Sequence, residues 1–150
     1  MKVIVVTFIV MISFSGLVQT KIDSVKIYTL NFQLDTRYGY GINDVIEHGE
    51  LTTLLPLQLK GNDSLIAYIN SLDLSPYSGG INLRMVCIIY SNLGKKILGF
   101  GSTRIMSVDE IITERDDNLL ALFADLIDNA KYREIIFDNI KSLKNRKKKH

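Results

Sequence analysis

The 150-residue chain has one cysteine, two prolines, two histidines and no tryptophan. Each scarcity excludes something. A single cysteine, Cys87, cannot close an internal disulfide, so the fold must rest on core packing. It sits inside Met85-Val86-Cys87-Ile88-Ile89-Tyr90, an apolar run of strand character, where a thiol reads as a small buried hydrophobe rather than a nucleophile. Two histidines, His48 and the terminal His150, with no cysteine cluster, do not supply the several ligands that a metal centre needs. The Gly39-Tyr40-Gly41 and Gly99-Phe100-Gly101 elements stop short of a phosphate-binding loop that opens a helix, so no cofactor is expected. No constellation of catalytic residues stands out.

What is present begins at the N-terminus. Lys2 precedes the apolar run Val3 to Phe14, and small and polar residues follow at Ser15, Gly16, Gln19 and Thr20. This is the layout of a secretory signal peptide. Cleavage before Gly16 or after Thr20 satisfies the small-residue rule. A membrane anchor needs about 20 apolar residues, and Gln19-Thr20-Lys21 ends the run at the margin of that length. The reading is therefore a signal peptide over residues 1–20, and a secreted or periplasmic protein. A single domain over residues 21–143 is large enough to bury a core. A basic tail over residues 144–150 completes the chain.

Charge is divided unevenly. The last ten residues carry six cations and no acid, whereas residues 21–140 carry 11 cations against 16 acids. The protein reads as an acidic globule with a basic tail. Lys144, Arg146, Lys147, Lys148 and Lys149 could rest on an anionic membrane surface. No aromatic residue is interleaved among them, and export separates the protein from nucleic acid, which is not expected as a partner.

Alternation over Ser24 to Asp35 predicts a half-buried strand, with Lys26, Tyr28, Leu30, Phe32 and Leu34 on the buried side. Thr36 to Glu50 contains three glycines and reads as a loop. Leu51 to Leu59 holds Pro56 and reads as an irregular or edge segment. Asn62-Asp63-Ser64 provides helix-start chemistry for a short helix over about residues 63–72. Asn82 to Ser91 is the clearest strand, central in character, and returns through a turn at residues 91–95 to a partner at residues 96–101. A further short strand is expected near residues 104–108. Asp116-Asp117 opens an amphipathic helix that continues or restarts near Asn129 and ends by fraying after Leu143. The fold class is α+β: a small, mostly antiparallel sheet of 3–4 strands, packed on one face by a short helix and a long C-terminal helix.

Three groupings are candidate sites. Arg37, Tyr38 and Tyr40 form a loop cluster of the kind enriched at protein interfaces. Asp44, Glu47, His48 and Glu50, with the loop at residues 75–80, would be the material for a small hydrolase. Asp116, Asp117, Asp125 and Asp128 gather on one helix but read as its solvated face. The leading expectation is a non-enzymatic exported protein that acts through protein–protein contact, of the inhibitor or immunity type.

The signal layout, the strand Arg84-Met85-Val86-Cys87-Ile88-Ile89-Tyr90 and the Asn92-Leu93-Gly94 turn together resemble the small signal-bearing proteins common in Bacteroidota, over residues 1–110. That resemblance implies a bacterial envelope location. It implies no activity and carries no site residues with it.

Overall fold

The computed structural model describes residues 20–33, 38–55 and 62–147. Residues 1–19, Arg37, Pro56, Lys148 and Lys149 lie outside these, and with them nearly all of the expected signal peptide and part of the basic tail.

The described elements run β1 (Ile22–Thr29), α1 (Ile42–His48), β2 (Glu50–Leu54), α2 (Asn62–Asn70), β3 (Leu83–Ser91), β4 (Gly94–Gly101), β5 (Ile105–Val108), β6 (Ile111–Glu114), α3 (Asp117–Asp125) and α4 (Ala130–Lys147). The strands form one six-stranded sheet in the order β2-β1-β3-β4-β5-β6. Every neighbouring pair is antiparallel. The α+β class therefore holds, but six strands replace the 3–4 expected. β3 lies in the interior of the sheet, as its continuous apolar run requires.

One added strand is β6, which returns from β5 through Asp109-Glu110. Both residues have positive φ, 46° and 74°, as a two-residue hairpin turn demands. The glycine or asparagine that usually marks such a turn is missing. Its cost is offset by bonds to β4: Asp109 N donates to Ile97 O at 2.8 Å, Ile97 N donates to Asp109 Oδ1 at 2.9 Å, and Lys96 Nζ pairs with Asp109 Oδ2 at 3.0 Å. The other addition is β2, a regular strand at the sheet edge, where the sequence left an edge or irregular segment open.

The register separates the two faces. One cross-strand row is Thr52, Ile27, Cys87, Leu98, Val108 and Ile111; the next is Leu51, Tyr28, Val86, Gly99, Ser107 and Ile112. Most of the first row points into the main core, beneath Leu65, Ile66 and Ile69 of α2, Leu119, Leu120 and Phe123 of α3, and Ile135, Ile136 and Ile140 of α4. Phe100 and Phe123 meet there with ring centroids 6.0 Å apart and planes tilted by 51°. Each such buried side chain contributes about 1.5–3 kcal/mol relative to exposure.

The second face carries a smaller cluster, in which Val45 of α1 packs on Leu83, Val86 and Ile88. Helices therefore cover both faces, not one. Ile42, Val45 and Ile46 give α1 a helical apolar stripe, and Asp44 Oδ2 accepts from Gly41 N at 2.7 Å to close its first turn. Three glycines in the surrounding segment hide that pattern when the sequence is read alone.

Coverage of both faces also reverses the expected orientation of β1. Val25, Ile27 and Thr29 are buried against the large helical layer, whereas Lys26 and Tyr28 are only half-buried beside α1. Long amphipathic side chains suit the thinner cover, because their polar ends still reach water. Lys26 Nζ lies 5.8 Å from the centre of the Tyr90 ring on that face.

α3 and α4 are separate helices, the restart near Asn129 being the alternative realised. Asp116 caps α3, its Oδ1 accepting from Asn118 N and Leu119 N at 2.9 Å each. Asn129 does the same for α4, its Oδ1 accepting from Lys131 N and Tyr132 N at 3.1 and 3.3 Å. α4 runs through Lys147 rather than fraying after Leu143. Cations in its last turns complement the partial negative charge of a helix C-terminus.

Candidate functional site

The loop carrying Tyr38 and Tyr40 crosses the end of the sheet and is fastened to the residues that lead into β3. Tyr40 N donates to Asn82 Oδ1 at 3.3 Å, and Leu83 N donates to Tyr40 O at 2.9 Å. Gly39 allows the close approach: a Cβ there would stand 1.9 Å from Ile81 O. Loops 38–41 and 79–82 thus form one joined rim.

The sequence-expected trio is divided within that rim. Tyr38 is 83% exposed. Tyr40 is half-buried, with the Arg84 guanidinium 5.2 Å from its ring centre. Arg37 lies outside the described residues. Arg84 was not anticipated as part of this arrangement. It is 1% exposed, and its Nη1 donates to Asn82 Oδ1 and, at 3.0 Å, to Leu83 O. The signal for it was a charged residue placed within the apolar run of β3, which demands partners wherever that strand is central. Ile81 and Tyr77, on the second loop, are 39% and 46% exposed. That loop is held to the edge strand by Tyr77 N donating to Ile112 O at 3.0 Å.

The four groups proposed for hydrolysis are not gathered. Asp44 is engaged at the start of α1, and Glu47 and His48 are exposed on the last turn of the same helix. Glu50 stands in the row of Thr29 and Met85, and its Oε2 accepts from Asn129 Nδ2 at 2.9 Å, on the α4 side of the sheet. Cys87 is fully buried in the main core, and burial pushes its thiol well above the ordinary range. His48 belongs to α1, which covers the other face.

The aspartates of α3 are mostly structural. Asp116 caps the helix and its Oδ2 also accepts from Tyr68 Oη at 2.6 Å; that bond raises the Tyr68 phenol above its usual value. Asp117 Oδ1 receives Arg115 Nη2 at 2.7 Å and Nε at 2.8 Å. Asp125 and Asp128 are exposed.

Arg115 is the second buried arginine. Burial lowers its guanidinium from the ordinary value, and Asp117 acts in the opposite sense, favouring the charged form. Its Nη1 donates to Gly101 O and to Asn139 Oδ1, both at 2.8 Å. Asn139 Nδ2 in turn donates to Ser102 O at 2.9 Å. The β4–β5 turn is thereby fixed against α4 through two of its carbonyls. Between that turn and the end of α4 lies an open cleft of about 730 Å³, with Phe32 and Tyr77 among its walls and Arg104 and Arg146 on its lining. A smaller recess of about 220 Å³ adjoins it, lined by Arg104, Glu114, Arg115 and Lys144 among others. Another, of about 430 Å³, opens at the start of α1 over Ile97 and Ser107.

Of the tail cations, Lys144 and Arg146 are exposed on α4. Among the described residues no group of three or more His, Cys, Asp and Glu side chains is placed to hold a metal ion, and no helix is long and apolar enough to cross a membrane. No family model, curated protein or solved structure matches the chain.

Proposed function

We propose that the protein is an exported binding protein that acts by contact with another protein, through the rim formed by loops 38–41 and 77–82. The observation that carries the reading is the 83% exposure of Tyr38 on a loop whose backbone is pinned beside it at Tyr40. A large aromatic on a fixed loop has little conformational freedom to lose on contact, which is what makes tyrosine an effective interface anchor. Ile81 and Tyr77 are further exposed apolar side chains on the adjoining loop.

The export half of the proposal rests on the charged, apolar and small-residue sequence of the first twenty positions. N-terminal sequencing of the protein recovered from its host is expected to begin at Gly16 or Lys21. Recovery with Met1 intact in the cytosol would reject export. The contact half is tested by cross-linking capture from an envelope extract, comparing the native protein with Tyr38→Ala and with an Ile81→Ser, Tyr77→Ser double variant. One partner retained by the native protein and lost by both variants is the expected result. Equal retention by all three, or none by any, would count against this surface.

A further inference from the structure

We propose that the cleft between the β4–β5 turn and the last turns of α4 is a binding site for a small organic anion, one carrying a carboxylate or phosphate group on an aromatic or apolar body. The cleft, at about 730 Å³, falls within the range typical of small-molecule sites, about 300–1,000 Å³. Its charge is one-sided: Arg104 and Arg146 line it, and no carboxylate does.

Neither arginine forms an ion pair among the described residues, although Arg104 also borders the adjoining recess, which Glu114 and Asp117 help to line. The ion pairs of the described residues engage Lys96 and Arg115. Arg104 gives one bond, from Nη2 to Leu143 O at 3.3 Å, out of the five N–H donors a guanidinium holds. That bond lays the side chain against α4 and leaves the rest of the fork available to a planar or tetrahedral oxyanion. Thr103 and Ser142 add hydroxyls to the lining. Ser142 and Arg146 are one turn apart on α4 and so share a helix face.

The site is also built rather than incidental. Arg115 and Asn139 bind the carbonyls of Gly101 and Ser102, which holds the turn bearing Thr103 and Arg104 at a fixed distance from α4. Such fixing lowers the ordering cost of binding. The apolar part of the ligand has its own surface, because Phe32, 4% exposed, and Tyr77, 46% exposed, form walls of the same cleft. Tyr77 belongs to both this cleft and the proposed contact rim, but Tyr38 does not line the cleft, so Tyr38→Ala separates partner contact from anion binding.

The test is a nuclear magnetic resonance titration of the purified protein with phenyl phosphate, benzoate, inorganic phosphate and benzyl alcohol. The first two distinguish phosphate from carboxylate as the favoured anion, and binding by either supports the site. Their addition is expected to shift the amides of Thr103, Arg104 and Ser142. Arg104→Gln and the exposed Arg146→Gln are each expected to weaken binding by about tenfold, the loss of one charge-assisted contact. Benzyl alcohol is expected to bind far more weakly. Four results would overturn the proposal: no shift up to about 10 mM ligand, unchanged affinity in both arginine variants, equal binding of benzyl alcohol, or inorganic phosphate binding as tightly as phenyl phosphate. The Arg146→Gln variant changes only an exposed side chain, so its folded spectrum serves as the control for the more enclosed Arg104.

Discussion

Arg115 Nη1 donates to Asn139 Oδ1 at 2.8 Å, joining the residue that follows β6 to the middle of α4 across 24 positions of sequence. The same guanidinium holds Gly101 O and Asp117, so one buried cation ties together the β4–β5 turn and the two C-terminal helices. Replacing Arg115 with Met would leave Asp117 without its cation and Gly101 O without its donor. The expected loss of stability is about 3–5 kcal/mol, the range for breaking a buried pair from one side. Asn139→Ala removes neutral partners and should cost less, about 1–3 kcal/mol. Urea midpoints of the two single variants and the double variant would check this. A double-variant loss well short of the sum is expected, because the residues share one network.

Tyr68 and Asp116 form the second testable pair. Asp116→Ala removes the cap of α3 and should cost about 0.5–2 kcal/mol. In the native protein the Tyr68 phenol is raised by its bond to Asp116. Stability from this bond is complete below the unfolded-state value, near 10, and is lost as pH rises through the higher folded-state value. Ultraviolet titration should therefore show one phenol moving back toward the ordinary range in Asp116→Ala. The alkaline fall in stability should contain a component that the variant lacks. Identical tyrosine titrations in the two proteins would contradict the assignment.

Cys87 should report on global unfolding. It lies at 0% exposure in the middle of the sheet, with its thiol held protonated by burial. Reaction with an aromatic disulfide reagent needs the thiolate and access to it. Modification is expected to be slow in the native protein and to accelerate with urea along the same transition seen by circular dichroism. A fast native reaction would place the thiol at the surface, against the packing described.

Gly39→Ala probes the joint between the two loops. A Cβ 1.9 Å from Ile81 O cannot be accommodated without moving backbone. The substitution should cost about 1–3 kcal/mol, as overpacking does, and should weaken the Tyr40–Leu83 pairing. Loss of hydrogen-exchange protection at the Leu83 amide, with the amides at the centre of β4 unaffected, would be the signature.

Much of the architecture follows from local pattern. The unbroken apolar run of Met85 to Tyr90 pointed to an interior strand, and the turn at Asn92-Leu93 brought β4 back beside it. Asp116-Asp117 announced a helix start through negative charge suited to a helix N-terminus, whereas continuation or restart near Asn129 stayed open until the cap at Asn129 decided it. The long amphipathic stripe from Leu119 to Ile140 placed helical structure over the sheet without fixing whether it formed one helix or two. These features depend on residues close in sequence, and periodicity and capping are local effects.

Other features needed residues far apart to meet. The Asp109-Glu110 turn has positive φ without glycine because β4 supplies its hydrogen bonds. β1 turned Val25 and Ile27 toward the larger core because α1 covered its opposite side, and α1 itself was concealed by surrounding glycines, of which Gly39 is required by its close approach to Ile81 O. The division of Tyr38 from Tyr40, the burial of Arg84 and Arg115, and the cleft beside Arg104 all depend on separate segments meeting, from Arg115 with Gly101 across 14 residues to Tyr40 with Asn82 across 42. The sequence by itself determined the types of β1, α2, β3, β4, β5 and the C-terminal helical region, the mostly antiparallel α+β class and the charge contrast between globule and tail. Only the tertiary structure decided which face of each element met the core and which polar groups became partners, because burial and hydrogen-bond satisfaction belong to the assembled chain and not to any one segment.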